Sequence, residues 1–465
     1  MNANAGALPG DAASVGRAGE RLISVPYLLL RASTAGGALA MGFVQTFAFA
    51  RALSPERFSI FIVVGALGYT LWVTDLGLAK IVFVNLRSAH LSGARDERAA
   101  REASALILFY SLLAGVAAML CFAIRLGQPT ATLGDAGELG LFFLYVTLNL
   151  TWYSLRTIGF SVDRYVFYER LELIRRLFTM AILLTLIAGV PLLAVMLGLN
   201  LLWALLIGAV TFKFVRCGAL SPNLQGFPGE LLSFFRRNSR SVKRSGISAL
   251  SGVFAANFPY YVVPLIFGLG PAPIILEVTF RVLRGTGAIY TAATDLAIPG
   301  QTAALAARDP RRLARTTIFA AGLCCIVAGC VCAILMLAGG PLFAFLLKSA
   351  ATVPPAITPI LIVMVLANVA QIVSESLLQH TGFFRHLAWI GAAVAAMMVV
   401  ATAISLAANF DIVGFLGAYA AAFTAGAILS VAAAVRGPFR SAAARNRPQP
   451  AADLVIASRS APQSR

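Results

Sequence analysis

Glu277, Arg281, Arg284 and Asp295 lie in one apolar segment, residues 275–304. At about 100° per residue they fall within roughly 60° of one another on a helix. The segment therefore carries an ionic stripe about 27 Å long on a surface otherwise made of Ile, Leu, Val, Phe, Ala and Gly. A charge near the middle of a lipid-facing helix costs roughly 2.5–3.5 kcal/mol on insertion scales. Four of them on one face require other protein or a water-filled cavity beside them. Glu277 and Arg281, four residues apart, can pair along the helix. Arg284 has no free partner in its own helix. It stays cationic and needs an anion or water. An interhelical pair with Glu375 or Asp75 would satisfy it equally well. An ionic stripe of this kind points to a hydrophilic route through a membrane, and so to transport.

Three further sets of polar residues occupy apolar segments. Arg31, Thr34, Ala38, Gly42 and Gln45 share one face of the first, suited to lining a cavity or to close helix packing. Arg31 can also snorkel to the interface. Asn368, Gln371, Glu375 and Gln379 form a second stripe, which either lines a pathway or holds helices together. Glu375 can bind a coupling proton or sodium ion, or pair with Arg281 or Arg284. Asp75, in Asp75-Leu76-Gly77-Leu78, suits a helix-terminal turn. Asn257, Pro259, Tyr260 and Tyr261 mark a kink or hinge.

The elements that must position these groups are membrane spans. Of 465 residues, 59% are hydrophobic and 12% charged, with a mean hydropathy of +0.84. The first apolar run is too long for a signal-peptide core. At about 20 residues per crossing, twelve segments are expected: 27–50, 58–79, 103–125, 139–160, 169–190, 192–213, 246–268, 275–304, 314–338, 354–379, 386–408 and 412–435. The fold class is all-α and polytopic, and the eighth segment is expected to tilt or bend at Gly285 and Gly287. The net charge of +18 resides mostly in alternate gaps. With a cytoplasmic amino terminus, the inner side holds Arg87, Arg98, Arg101, Arg164, Arg170, Arg175, Arg176, Lys213, Arg236, Arg237 and Arg311. The outer side holds only Arg51, Arg57, Arg125 and Lys348. This asymmetry places both termini in the cytoplasm and excludes nucleic acid as the reason for the charge.

A basic loop over 214–245 divides six crossings (25–213) from six more (246–436), flanked by disordered tails at 1–24 and 437–465. The carboxy-terminal arginines can meet anionic lipid headgroups. Leu53-Ser54-Pro55 and Thr74-Asp75-Leu76 in the second crossing are echoed by Leu269-Gly270-Pro271 and Thr294-Asp295-Leu296 in the eighth. The order is the same and the frames differ by about one helical turn, as a duplication would leave them. The six cysteines include no CxxC pair. They are read as small buried hydrophobes, apart from Cys217 in the basic loop, with no metal site.

Arg51-Ala52-Leu53-Ser54-Pro55-Glu56-Arg57-Phe58, followed by an apolar helix and Asp75-Leu76-Gly77-Leu78, resembles the start of the bacterial polysaccharide-biosynthesis flippases. These are twelve-helix members of the multidrug/oligosaccharidyl-lipid/polysaccharide exporter superfamily. Ser54 and Ser59 stand where glycines are usual. The resemblance implies two six-helix bundles around a central cavity in the bacterial inner membrane. It also implies a polyprenyl-pyrophosphate-linked oligosaccharide as cargo, moved to the outer leaflet by rocking of the bundles, with membrane lipids and polysaccharide-synthesis machinery as partners. Basic residues of the first and eighth helices line the lumen in such flippases, a role that Arg31, Arg281 and Arg284 would fill here. Arginine matches phosphate oxygens by two-point hydrogen bonding. Gln45, Asn368, Gln371 and Gln379 would face the sugars.

Two other classes compete. A cation-coupled drug or metabolite exporter would favour acidic cavity residues. A membrane enzyme acting on lipid-linked sugars would expose paired carboxylates, whereas Asp135, Glu138 and Asp411 are scattered. No nucleotide-binding loop is present and no cofactor is implied. The expected function is therefore non-enzymatic, with no catalytic residue assigned.

Overall fold

The computed structural model describes residues 25–91, 96–222, 227–348 and 350–443. Every regular element among them is helical. Hydrocarbon offers the backbone no hydrogen-bond partner, so a spanning segment must satisfy its own amides, as a helix does.

The amino-terminal half comprises α1 (Val25–Ala52), α2 (Pro55–Thr70, prolonged by a tighter turn Leu71–Asp75), α3 (Leu78–Leu91), α4 (Glu97–Leu126), α5 (Leu133–Ser161), α6 (Tyr165–Leu184) and α7 (Leu192–Arg216). The second half comprises α8 (Phe227–Phe267), α9 (Pro271–Asp295), α10 (Ile298–Ala306), α11 (Pro310–Leu347), α12 (Ile357–His380), α13 (Phe384–Ala407) and α14 (Ile412–Ala434). A π-turn and the short α15 (Arg440–Ala443) follow. With α2–α3 and α9–α10 each making one crossing, the described residues form the twelve crossings of a multi-pass membrane protein, in two six-helix bundles. Seven helical stretches are long and apolar enough to span by themselves. The other five long helices, α1, α5, α6, α8 and α9, carry charged side chains.

Within the first bundle α5 packs against α2, α3, α4 and α7. Within the second, α12 packs against α9, α11, α13 and α14. The bundles meet where α9 packs on α1 and α2, where α8 packs on α2 and α4, and where α11 packs on α1. Outward faces carry bare apolar side chains such as Val116, Met119 and Leu337, a surface suited to lipid. Cys325 and Cys330 are exposed on α11, whereas Cys324 is buried, so the cysteines are not uniformly interior.

Helix starts follow local chemistry. Ser54, one of the two serines at a usual glycine position, caps α2 by accepting from Arg57 N. The other, Ser59, donates to Gly270 O at 2.7 Å and ties the start of α2 to the start of α9. Asp135 forms a capping box with Thr132, and Asp411 caps α14. These carboxylates thus have structural roles.

The tripeptide echo marks a shared device. The second crossing breaks after Asp75, where Leu76 and Gly77 take positive φ. The eighth breaks after Asp295, where α10 restarts with proline in its first turn. The bend therefore lies at 296–297 rather than at Gly285 and Gly287. Proline supplies no amide to continue the earlier helix, while both glycines lie in an unbroken stretch of α9. Residues 227–245, read as linker, are the first part of the 41-residue α8. At about 1.5 Å per residue, α8 far exceeds a bilayer's hydrocarbon thickness, so its basic part extends beyond the lipid. Residues 437–443 continue the helical path. The rest of the expected tails, 1–24 and 444–465, lies outside the described residues.

Candidate functional site

A cavity of about 200 Å³ lies between the bundles. Its lining includes Gly42 and Gln45 from α1, Tyr69 from α2, Tyr145 and Asn149 from α5, Tyr260 from α8, and Glu277, Arg281 and Arg284 from α9. Phe49, Phe58, Phe61 and Phe142 form an aromatic side, with the Phe61 and Phe142 rings 4.9 Å apart.

The polar side is organised by Glu277. Its carboxylate accepts from Arg281 Nε, from Arg284 Nη2 at 2.7 Å and from Tyr260 Oη at 2.6 Å. Arg284 therefore does have a partner in its own helix, seven residues back. Two turns of helix return a side chain close to the same face, so neither Glu375 nor Asp75 is needed. The two guanidiniums are committed differently. Arg281 Nη1 also donates to Gly42 O at 2.8 Å and to Gln45 Oε1 at 3.2 Å, crossing to the other bundle. Arg284 is 44% exposed, and the space beside it is the cavity. The Tyr260 ring lies 5.4 Å from its guanidinium carbon. Two cations and one buried carboxylate leave the lining with one positive charge in excess.

The α1–α9 seam closes one end of this cavity. A side chain at Gly285 would collide with Leu39, since an ideal Cβ would lie 2.1 Å from Leu39 Cδ1. Beyond that contact Arg31 donates to Glu169 Oε1 at 2.9 Å and to Asp295 Oδ2 at 3.1 Å. Arg156 adds a second cation to Glu169 at 3.4 Å. At the other end Arg51 donates to Phe345 O and Leu346 O of α11. Where α8 meets α2 the contact is neutral, with Tyr261 Oη donating to Ala66 O at 3.1 Å and bonding Thr70 Oγ1. By contrast, α8 meets α4 through ion pairs, Arg237 with Glu102 at 2.6 Å and Glu230 with Arg101 at 3.2 Å.

This architecture resembles solved transporters. An inward-facing MATE-family multidrug resistance transporter of the MOP superfamily superposes with a TM-score of 0.60 at 13% identity, over 89% of this chain and 98% of that one. The eukaryotic MATE transporter AtDTX14 gives 0.62 at 14% identity, over 90% and 96%. A MOP-superfamily transporter from Pyrococcus furiosus, described as having a binding pocket of reversed polarity that suggests a different function, gives 0.52 at 13%, over 85% and 98%. The chain has the MATE transporter fold. No protein-family model matches the sequence, and no curated protein does either.

On this fold the expected site residues separate into three groups. Gln45, Glu277, Arg281 and Arg284 converge on the cavity. Arg31 and Asp295 meet each other at the seam, so Arg31 is an interbundle tie rather than a snorkelling side chain. Asp75, Gln371 and Glu375 belong to neither place. Asp75 accepts from Tyr110 Oη at 2.6 Å and from Ala79 N at 3.0 Å, fastening the helix break. Gln371 donates to Glu375 Oε1 at 2.9 Å within α12, in place of the pair expected between Glu375 and an arginine of α9. Asn368, expected to face sugars, is buried and donates to Leu283 O at 3.3 Å.

The sequence reading passed over Glu169 and Glu172, and it took Tyr260 only as part of a kink or hinge, not as a donor to Glu277. Glu172 is buried in α6 and accepts from Arg175 Nη2 at 2.7 Å, from Arg176 Nε at 2.5 Å and from Trp152 Nε1 at 2.6 Å. Arg175 and Arg176 are thus bundle residues rather than loop charges. Their i,i+3 and i,i+4 spacing from Glu172 was the available signal.

Proposed function

We propose that this protein is a membrane flippase for a lipid-linked anionic glycan, a polyprenyl-pyrophosphate-linked oligosaccharide. The reading rests on one observation: Arg284 opens onto the interbundle cavity with a single carboxylate shared between it and Arg281. A pyrophosphate presents oxygens that guanidinium groups bind in pairs. A cavity of about 200 Å³ is smaller than the roughly 300–1,000 Å³ of ordinary ligand pockets. The cavity as it stands is too small for a glycan, which enters when the bundles part. Rocking of the bundles against one another exposes the cavity alternately to each side, as two-bundle transporters do. The excess of arginine on the side that carries both ends of the described chain favours cytoplasmic termini in a bacterial inner membrane.

Arg281→Ala combined with Arg284→Ala should abolish transport while folded protein remains in the membrane. Full activity of that double variant would remove phosphate contact from the account. Deletion of the gene should leave one lipid-linked glycan accumulated on the inner leaflet.

A second reading, a cation-coupled multidrug or metabolite exporter, draws support from the aromatic side formed by Phe49, Phe58, Phe61 and Phe142. Under that reading the deletion leaves glycolipids unchanged and produces drug hypersensitivity. Glu277 speaks against it. The carboxylate lining the cavity is already held by two arginines and a tyrosine, so a cationic drug would have to displace them.

A further inference from the structure

Glu277 sits where an anionic cargo would have to bind. It is buried, with 6% of its side chain exposed, and both oxygens face the guanidiniums that line the cavity. We propose that Glu277 is a built-in competitor of the cargo phosphate: it holds Arg284 in the empty carrier, yields it to the cargo, and takes up a proton when it does. The proposal rests on the flippase reading and deepens it.

Charge counting gives the reason. Two arginines and one carboxylate leave a single positive charge. A pyrophosphate diester brings two negative charges, which would leave the cavity lining with one negative charge in excess. A buried uncompensated charge is costly, and a group in that position neutralises instead. Protonation of Glu277 restores balance and frees both guanidiniums for phosphate. Return of the carboxylate to Arg284 then helps expel the cargo, so that binding does not become a trap.

The neighbours of Glu277 leave it as the group to titrate. On its own helix it faces Arg281 and Arg284, which remain charged. Tyr260 of α8 donates to it. Gln45 and Gly42 O of α1 reach it only through Arg281. Tyr69 of α2 and Tyr145 of α5 line the same space with their phenol rings and bring no carboxylate or base. From α12, Asn368 is uncharged and bonds Leu283 O. From α11, Cys324 lies against Tyr290 O, further along α9. From α14, Tyr419 packs on Phe280.

The test is equilibrium binding and multiple-turnover flipping of a short-chain prenyl-pyrophosphoryl sugar by the full chain in nanodiscs and vesicles. This diester has no group that titrates between about pH 5 and pH 9, so any pH effect belongs to the protein. The wild type should bind more tightly as pH falls. Glu277→Gln should bind roughly tenfold more tightly at neutral pH, the size of one charge-assisted hydrogen bond. It should lose the pH dependence and turn over more slowly. Were Glu277 only a strut that positions the arginines, the same variant would bind more weakly. Weaker or unchanged binding by Glu277→Gln, or a wild-type affinity flat across pH, overturns the proposal and leaves the flippase reading standing. Absence of binding by the wild type at every pH overturns both. The wild-type profile decides the matter even if the variant fails to fold.

Discussion

Arg31 and Asp295 lie 264 residues apart in the chain and 3.1 Å apart in space, joining α1 of one bundle to the end of α9 in the other. The pair lies beyond the Leu39–Gly285 contact that floors the cavity. Its two ends are unequal. Arg31 keeps Glu169, which is 1% exposed, whereas Asp295 is 40% exposed. Asp295 can therefore depart without stranding a buried charge, as a gate requires.

Asp295→Asn should loosen this closure and spare the fold. Stability should change by less than about 1 kcal/mol, as for a partly solvated pair. A cysteine placed at Ala38, in a background lacking the six native cysteines, should react faster with an impermeant maleimide from the side of the chain termini. Equal labelling rates with and without the Asp295 carboxylate would show that the pair does not control access.

Gly285 makes a steric prediction on the same seam. Leu39 Cβ would lie 3.3 Å from an added Cβ, and Cδ1 at 2.1 Å. A rotamer change at Leu39 relieves only the second of these. Gly285→Ala should therefore push the helices apart at a cost of about 1–3 kcal/mol. It should also slow turnover. Leu39→Ala in the same chain should recover much of both, which thermal unfolding and a flipping assay would register together.

The sequence made some of this legible. Four charges on one helical face required shelter, and Asp75 marked a helix-terminal turn, whereas the break of the eighth segment was expected at Gly285 and Gly287 and lies at 296–297. What it could not supply was partnership across the fold. Arg31 finds Glu169 138 residues away, and no local pattern encodes that distance. Arg284 was the readable exception, since seven residues back is nearly two turns of helix. The basic run at 227–245 was misread as loop because charge was equated with a connection. A helix that outgrows the bilayer carries charge just as readily.

Glu172 should prove the costliest carboxylate to remove. It joins Arg175, Arg176 and Trp152, and Arg175 also stacks on Trp203 with its guanidinium carbon 4.6 Å from the ring. Glu172→Gln leaves the buried Arg175 without its counter-ion, at a cost of about 3–5 kcal/mol. Thermal unfolding in detergent would reveal it. The loss should exceed that of Asp295→Asn severalfold, because here neither partner can turn to water.

The two Thr-Asp-Leu breaks predict a final contrast. Asp75 accepts from the buried Tyr110 hydroxyl and caps the backbone of α3 through Ala79. Asp295, at the matching break, faces Arg31 across the bundle interface. One motif thus came to fasten a bend within a bundle and the other to fasten one bundle to its neighbour. Asp75→Ala should cost about 1–2 kcal/mol through the lost cap, and a further 1–3 kcal/mol or so for the unpaired Tyr110 hydroxyl. Restoring apolar balance with Tyr110→Phe should return the second part alone. Cavity access should be unchanged by either substitution, measured with the same cysteine at Ala38. If Asp75→Ala instead opened the cavity while leaving unfolding untouched, the two breaks would share one gating role.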